Sequence, residues 1–248
     1  MSERIRVLHV DDDRQFAELT ATFLHEESDR FDVVSRVRTS EALDYLEDDH
    51  GVDCIVSDYA LPVMDGLDFL EAVRSEHPGL PFIFFTGQGS ETVASDALAG
   101  GATDYLQKQS GTEQYELLAN RIRNAVEQYR SGRRVAALER VRTLVRDVNQ
   151  VLVHASSVAE IETAVCELLS EADPYRAACV AGVDPETMRV EPRTWAGADG
   201  GYFERLSMTV AEGAAGRRTP EGRAYHNREI AVSQNVRDDP RYEPWRDA

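Results

Sequence analysis

"DCIVSDYALPVMDG", residues 53–66, is the stretch whose reading decides the fold. Cys54-Ile55-Val56 reads as a buried β-strand, and it runs into Ser57 and Asp58 before Pro62 and Gly66 turn the chain. An apolar strand that ends in a carboxylate is awkward, because a carboxylate is costly to bury unpaired. Asp58 either caps a turn or serves something that lies over the strand end.

The sequence on both sides repeats the pattern. IRVLHV (5–10), FDVVSRV (31–37), VDCIVS (52–57), PFIFFT (81–86) and TDYLQ (103–107) are short, apolar runs of the strand type. Between them lie segments with helical spacing. Residues 14–26 carry Phe16, Leu19, Phe23 and Leu24 at helical spacing, and SEALDYLEDD (40–49), MDGLDFLEAVRSE (64–76) and ETVASDALAG (91–100) follow. A long helix starts near Thr112. This alternation predicts an α/β fold: a five-stranded, parallel, doubly wound sheet covered on both faces, with any ligand site outside the carboxyl ends of the strands.

Those ends are informative. The first strand ends in Asp11-Asp12-Asp13, the third in Asp58, the fourth in Thr86-Gly87, and the fifth just before Lys108. Carboxylates crowded on one edge raise each other's pKa unless a cation neutralises them. Octahedral Mg²⁺, with one or two carboxylates, waters and a phosphoryl oxygen as ligands, suits that donor set. Asp13 reads better as a helix cap or solvated residue than as a ligand. Lys108 is the only lysine in a chain that otherwise uses arginine, at the one strand end where a compact point charge is wanted.

VLHVDDD (7–13), VSDYALPVMDG (56–66), FFTG (84–87) and GATDYLQK (101–108) together resemble the receiver domain of two-component response regulators, over roughly residues 4–130. The resemblance implies a flavodoxin-like fold and Asp58 as phospho-acceptor. It implies Asp12, Asp58 and the Ala60 backbone carbonyl as direct Mg²⁺ ligands, with Asp11 acting through water. Thr86 and Lys108 would bind the phosphoryl group, and Tyr105 matches the switch aromatic, against the plainer reading of a half-buried strand residue. The donor would be a histidine kinase. Two departures stand out: Gln109 follows the lysine where the family usually has proline, and Ala60 and Gln88 lie where phosphoryl lifetime is set. An aspartyl-phosphate phosphatase would want an acid at position 60, and alanine stands there.

Beyond the receiver, Ser131-Gly132-Arg133-Arg134 reads as a polar interruption. Leu138, Val141, Val145, Val148 and Leu152 then keep a 3-4-3-4 spacing, a short coiled-coil seam suited to a homodimer through residues 138–152. SVAEIETAVCELLSE (157–171) predicts an amphipathic helix, RAACVAGVD (176–184), MRVEPRTWAG (188–197) and REIAVSQNV (228–236) predict strands, and TPEGRAY (219–225) a short helix. DPYRAACVAGVD, EPRTWAG and RDDPRYEPWRDA resemble the start of a GAF sensor domain of the haloarchaeal type, stopping at Ala248 before such a sheet is complete. Trp195 and Tyr202 are candidate pocket aromatics, although core or surface positions suit them too. The expected organisation is a receiver at 1–130, a connector helix at 131–155 and a partial GAF-like α+β domain at 156–248.

Composition bounds the rest. A formal charge of −18 argues against direct nucleic-acid binding, and an acidic chain with a single lysine resembles proteins of salt-loving archaea. Three scattered cysteines in apolar contexts, no signal peptide and no membrane-length apolar run point to a reducing cytoplasm. The expected function is a response regulator that catalyses only its own phosphorylation and dephosphorylation. The rival is a small-molecule sensor working through the GAF-like half, with the receiver as its modulator.

Overall fold

Strands β1 (Ile5–Val10), β2 (Phe31–Arg36), β3 (Cys54–Ser57), β4 (Phe82–Thr86) and β5 (Asp104–Gln107) pair in parallel in the order β2-β1-β3-β4-β5. The computed structural model describes residues 4–48, 50–87, 91–173, 175–197, 201, 203, 207–233 and 239–245. It divides into two compact units, Met1–Ala136 and Ala137–Ala248.

In the first unit the period-2 geometry of strands sorts the core into two layers. Ile5, Val7, Cys54, Val56, Ile83 and Phe85 pack with Leu24 of α1 (Arg14–Glu27) and with Leu118, Ile122 and Val126 of α5 (Glu113–His154). Leu8, Val10, Ile55, Phe82 and Phe84 pack on the other face against α2 (Thr39–Glu47), α3 (Gly66–Glu76) and α4 (Glu91–Ala99). Phe82, Phe84 and Phe85 are fully buried, each worth roughly 1.5–3 kcal/mol over exposure. Strand order reverses between β1 and β3, so their connections leave on opposite sides and a crevice opens at their carboxyl ends. Val10 lies opposite Ser57, and Asp11 and Asp58 therefore leave the sheet side by side.

The caps follow the sequence. Asp13 is the N-cap of α1 and accepts from the Gln15 and Phe16 amides; Asp65 does the same for Leu67 and Asp68 at α3. Arg130 pairs with Asp53 at 2.8 Å and donates to the Arg4 carbonyl, tying α5 to the amino end of the sheet. The interruption expected at Ser131–Arg134 is absent: α5 is continuous over Glu113–His154. A single Gly132 costs only about 1 kcal/mol in a helix interior, and the arginines beside it are good helix formers.

The second unit contains α6 (Val158–Glu171), the antiparallel strands β6 (Ala177–Val183) and β7 (Arg189–Gly197), a two-residue β8 (Met208–Thr209) paired with β7, and α7 (Pro220–Asn227). Ser157 caps α6: its Oγ accepts from the Glu160 amide, and the Glu160 carboxylate accepts from the Ser156 amide just ahead of the cap. The β6–β7 register shifts between Val180 and Ala181, opposite Pro192, which has no N–H to give the ladder. Cys166 is the buried residue of α6, and Val158 is exposed. The strand expected at 228–236 does not form in its described part, residues 228–233, where Arg228 takes the left-handed C-cap of α7 and Ile230 and Val232 are exposed. The remainder of that stretch, Tyr202 and Ala248 lie outside the described residues. Trp195 sits on the more exposed face of β7, its ring centroid 6.5 Å from that of Phe203. No helix among the described residues is long and apolar enough to cross a membrane.

Candidate active site at the carboxyl edge of the sheet

Asp58 is the first residue after β3, and its amide donates to the Val10 carbonyl of the neighbouring strand at 2.8 Å. That bond fixes the point at which the side chain leaves the sheet. Asp58 Oδ1 accepts from the amides of Tyr59 (2.6 Å) and Ala60 (3.2 Å), and Oδ2 accepts from Lys108 Nζ at 2.7 Å. Asp11 is buried; its Oδ1 accepts from the Asp13 amide at 3.0 Å and its Oδ2 from the same Lys108 Nζ at 2.7 Å. Asp12 is exposed beside them. Asp11, Asp12 and Asp58 each offer a carboxylate oxygen, and these lie within 4.8 Å of one another. Such an oxygen-only set fits a hard divalent cation such as Mg²⁺.

The loop after Asp58 is held by Gly66, whose amide donates to the Tyr59 carbonyl at 2.9 Å. A Cβ at position 66 would stand 2.6 Å from Phe84 Cε1 and 2.8 Å from the Asp58 carbonyl oxygen. The glycine of the opening stretch thus lets α3 start directly against the backbone of Asp58. Within the same loop Val63 has φ +74° and is fully exposed.

Thr86 ends β4, buried, and its hydroxyl hydrogen-bonds Asp58. Lys108 follows β5, with its amide bonded to the Thr86 carbonyl at 2.8 Å. Tyr105 lies within β5, half-buried against the core. At the departure from the family pattern, the Gln109 amide donates to Gln114 Oε1 at 2.9 Å, and Gln114 Nε2 donates to the Gly111 carbonyl. Proline could make no such bond. Gln88 lies outside the described residues.

The electrostatics separate the two bridged acids. Burial raises the Asp58 carboxyl, but the hydrogen bonds from Lys108 and Thr86 outweigh it and hold the group below the usual range. Asp11 shifts the other way: its burial prevails over the Lys108 bond, and its pKa is raised. Burial lowers the Lys108 ammonium, yet the two carboxylates more than compensate and raise it. Lys108 is therefore a fixed positive charge across the physiological range. Its Nζ also stands 4.2 Å from the Phe16 ring centroid, a cation–π contact. Phe16, which the sequence marks only by its helical spacing, and His9, whose ring nitrogen lies 3.9 Å from Asp11 Oδ2, are neighbours of the site that the sequence did not single out.

Residues 7–123 match the family profile of the response regulator receiver domain. The methanogenesis regulatory protein FilR1 of Methanothrix harundinacea is 37% identical over 112 residues, 44% of this chain and 25% of the relative. The transcriptional regulatory protein CpxR of Escherichia coli is 37% identical over 103 residues, 42% of each chain. A solved receiver domain protein (CheY-like) from Methanospirillum hungatei aligns with 26% identity and a TM-score of 0.46, covering 52% of this chain and 99% of that one. The aligned part spans less than half the length of the curated relatives.

Proposed function

We propose, on the premise that residues 7–123 are a response regulator receiver domain, that this chain is a phospho-accepting switch with Asp58 as the acceptor. The observation that carries the reading is the convergence of Asp11, Asp12, Asp58, Thr86 and Lys108, from four strand ends, on one edge of the sheet. The Asp58 carboxylate forms its bond to phosphorus as the bond from phosphorus to the donor's imidazole nitrogen breaks, the donor being a phosphorylated histidine kinase. Two anions approach each other in that step, so fixed positive charge at the reacting oxygens lowers its barrier. Lys108 supplies part of that charge. Asp12, Asp58 and the Ala60 carbonyl, with Asp11 through water, would hold Mg²⁺, which would supply the rest of that charge at the carboxylate and phosphoryl oxygens.

Thr86 and Tyr105 answer to the phosphoryl group. Movement of their side chains shifts the population of states on the outer face of β4, β5 and the adjoining helices. The domain catalyses only its own phosphorylation and dephosphorylation. Leu138, Val141, Val145 and Leu152 are half or more exposed on α5. With Val148 they keep a 3-4-3-4 spacing, which is self-complementary and supports a homodimer through residues 138–152. The second unit is a GAF-like module, a reading supported by the helix–hairpin–short helix order of α6, β6, β7 and α7. The free cysteines suit a reducing cytoplasm, and the acidic, lysine-poor composition suits high salt.

Acetyl phosphate is the test. Wild type is expected to take up one phosphoryl group only with Mg²⁺ present, and Asp58→Asn none, with its fold intact by circular dichroism. Equal labelling of the Asn variant would remove Asp58 from the role.

A further inference from the structure

His9, on β1, is fully buried, and neither Nδ1 nor Nε2 makes a hydrogen bond of ordinary geometry, although the Ala17 backbone interacts with the ring. An unsatisfied buried polar atom costs stability, because it gives up its bonds to water without replacement. Native proteins leave few such atoms, and those that persist tend to have a use. A leucine or valine at this place in the core would avoid the cost.

The position of the ring suggests the use. Residues 9 and 11 are two apart along one strand line, so both side chains leave the sheet on the same face. His9 Nε2 stands 3.9 Å from Asp11 Oδ2, about 1 Å beyond hydrogen-bond length. That oxygen is the one that accepts from Lys108 Nζ at 2.7 Å, while the same Nζ bonds Asp58 Oδ2. One ammonium thus serves two carboxylates in the resting protein, and Asp11 Oδ2 has its histidine neighbour in reserve.

We propose that His9 is a positioning residue for Asp11. Its Nε2–H closes onto Asp11 Oδ2 as Lys108 turns part of its hydrogen bonding from that oxygen toward a phosphoryl group on Asp58. Asp11 then keeps its place in the acidic cluster while the lysine serves two masters less equally. The role rests on the acceptor reading above. It also explains why a polar group is held unsatisfied at rest: the donor is set aside for the phosphorylated state, where Asp11 needs it.

The experiment uses the full chain with fluoroberyllate and Mg²⁺ as the mimic of the phosphorylated state. In wild type the Nε2-bound proton and the ring nitrogens of His9, followed by long-range ¹⁵N–¹H correlation, are expected to shift when the mimic binds. His9→Leu, which removes the unsatisfied atoms, is expected to melt higher than wild type at rest. Its half-saturating fluoroberyllate concentration at fixed Mg²⁺ is expected to rise about tenfold, the factor that loss of one hydrogen bond to a charged group implies. His9→Gln restores an N–H donor and is expected to bind the mimic much as wild type does.

A His9 ring that stays unchanged while wild type binds the mimic would overturn the proposal and leave Asp58 as acceptor. So would a Leu variant with wild-type affinity, or one whose lower melting temperature accompanies the weaker binding, since that pattern marks a packing role. If wild type neither binds the mimic nor labels with acetyl phosphate, the acceptor reading fails and the role of His9 fails with it. Should His9→Leu not fold, the wild-type ring spectrum alone decides.

Discussion

Lys108 Nζ stands 2.7 Å from Asp58 Oδ2 across 50 residues of sequence, and the contact links the end of β5 to the end of β3. It gives the acceptor carboxylate a fixed cationic partner before any phosphoryl group arrives. With Thr86 it holds the Asp58 carboxyl below its usual range in the folded state, against the opposing effect of burial.

This lowering carries a sign that pH can test. A carboxyl depressed in the folded state contributes stability above its unfolded value, near ~3.9, and loses it as pH falls through the folded value. The denaturant midpoint of wild type, relative to that of Asp58→Asn, is therefore expected to fall as pH drops below about 5. Urea melts of the two proteins in parallel provide the comparison. A relative midpoint that rises on acidification would mean that Lys108 does not favour the ionised acceptor.

Asp12 is the exposed member of the acidic cluster. Asp12→Ala is expected to weaken Mg²⁺ binding about tenfold or more and to slow acetyl phosphate labelling with it. The titration needs matched ionic strength, because salt screens exposed acidic groups on its own account. Unchanged Mg²⁺ affinity would assign Asp12 a structural place instead.

Gly66 brings α3 against the backbone of Asp58, leaving no room for a Cβ. Gly66→Ala is expected to push the Asp58–Tyr59 segment outward, at a cost of roughly 1–3 kcal/mol from overpacking. Labelling should slow beyond what the loss of folded protein explains, since a misplaced acceptor reacts less well. A denaturant melt read beside the labelling rate of the folded fraction measures both.

Val63 places a β-branched side chain at φ +74°, and the side chain is exposed. Left-handed backbone costs an ordinary residue roughly 1–2 kcal/mol, and asparagine tolerates it better. Val63→Asn is expected to raise stability by about 1 kcal/mol, because no buried contact is lost. Chemical denaturation gives the value, and a less stable variant would show that the loop is not strained there.

Val145 lies in the middle of the exposed seam on α5. If that seam joins two copies, Val145→Glu must bury a charge unpaired or separate them. The variant is expected to shift to monomer by light scattering in high salt, where surface repulsion is screened, while labelling at Asp58 persists. An unchanged mass with a lower melting temperature would place the seam against its own chain. An unchanged mass and an unchanged melt would leave it a solvated helix.

Much of this was legible in one dimension. Strands and helices of the first unit follow from apolar period and length, as with Cys54–Ser57 and Phe82–Thr86. The edge that carries the chemistry follows from which residues end the strands, since parallel strands carry their carboxyl ends to one side. Asp13 was readable as a cap because capping depends on a side chain and the next few amides. The second unit was less legible. Its β8 is only two residues long and pairs with β7 across the chain, and residues 228–233 have strand-like composition without a strand. Local propensity cannot supply a missing partner edge.

By itself the sequence determined the parallel sheet, the order of its elements and the residue types gathered at its carboxyl edge, because period, length and strand ends are local properties. Only the tertiary structure decided that one ammonium bridges Asp11 and Asp58, that Phe16 lies over it, that α5 runs unbroken through Gly132, and that the buried ring of His9 stops short of Asp11. Those facts depend on distances between residues far apart in the chain. They are set by how helices pack on the sheet, and no pattern along the sequence encodes a gap of one ångström.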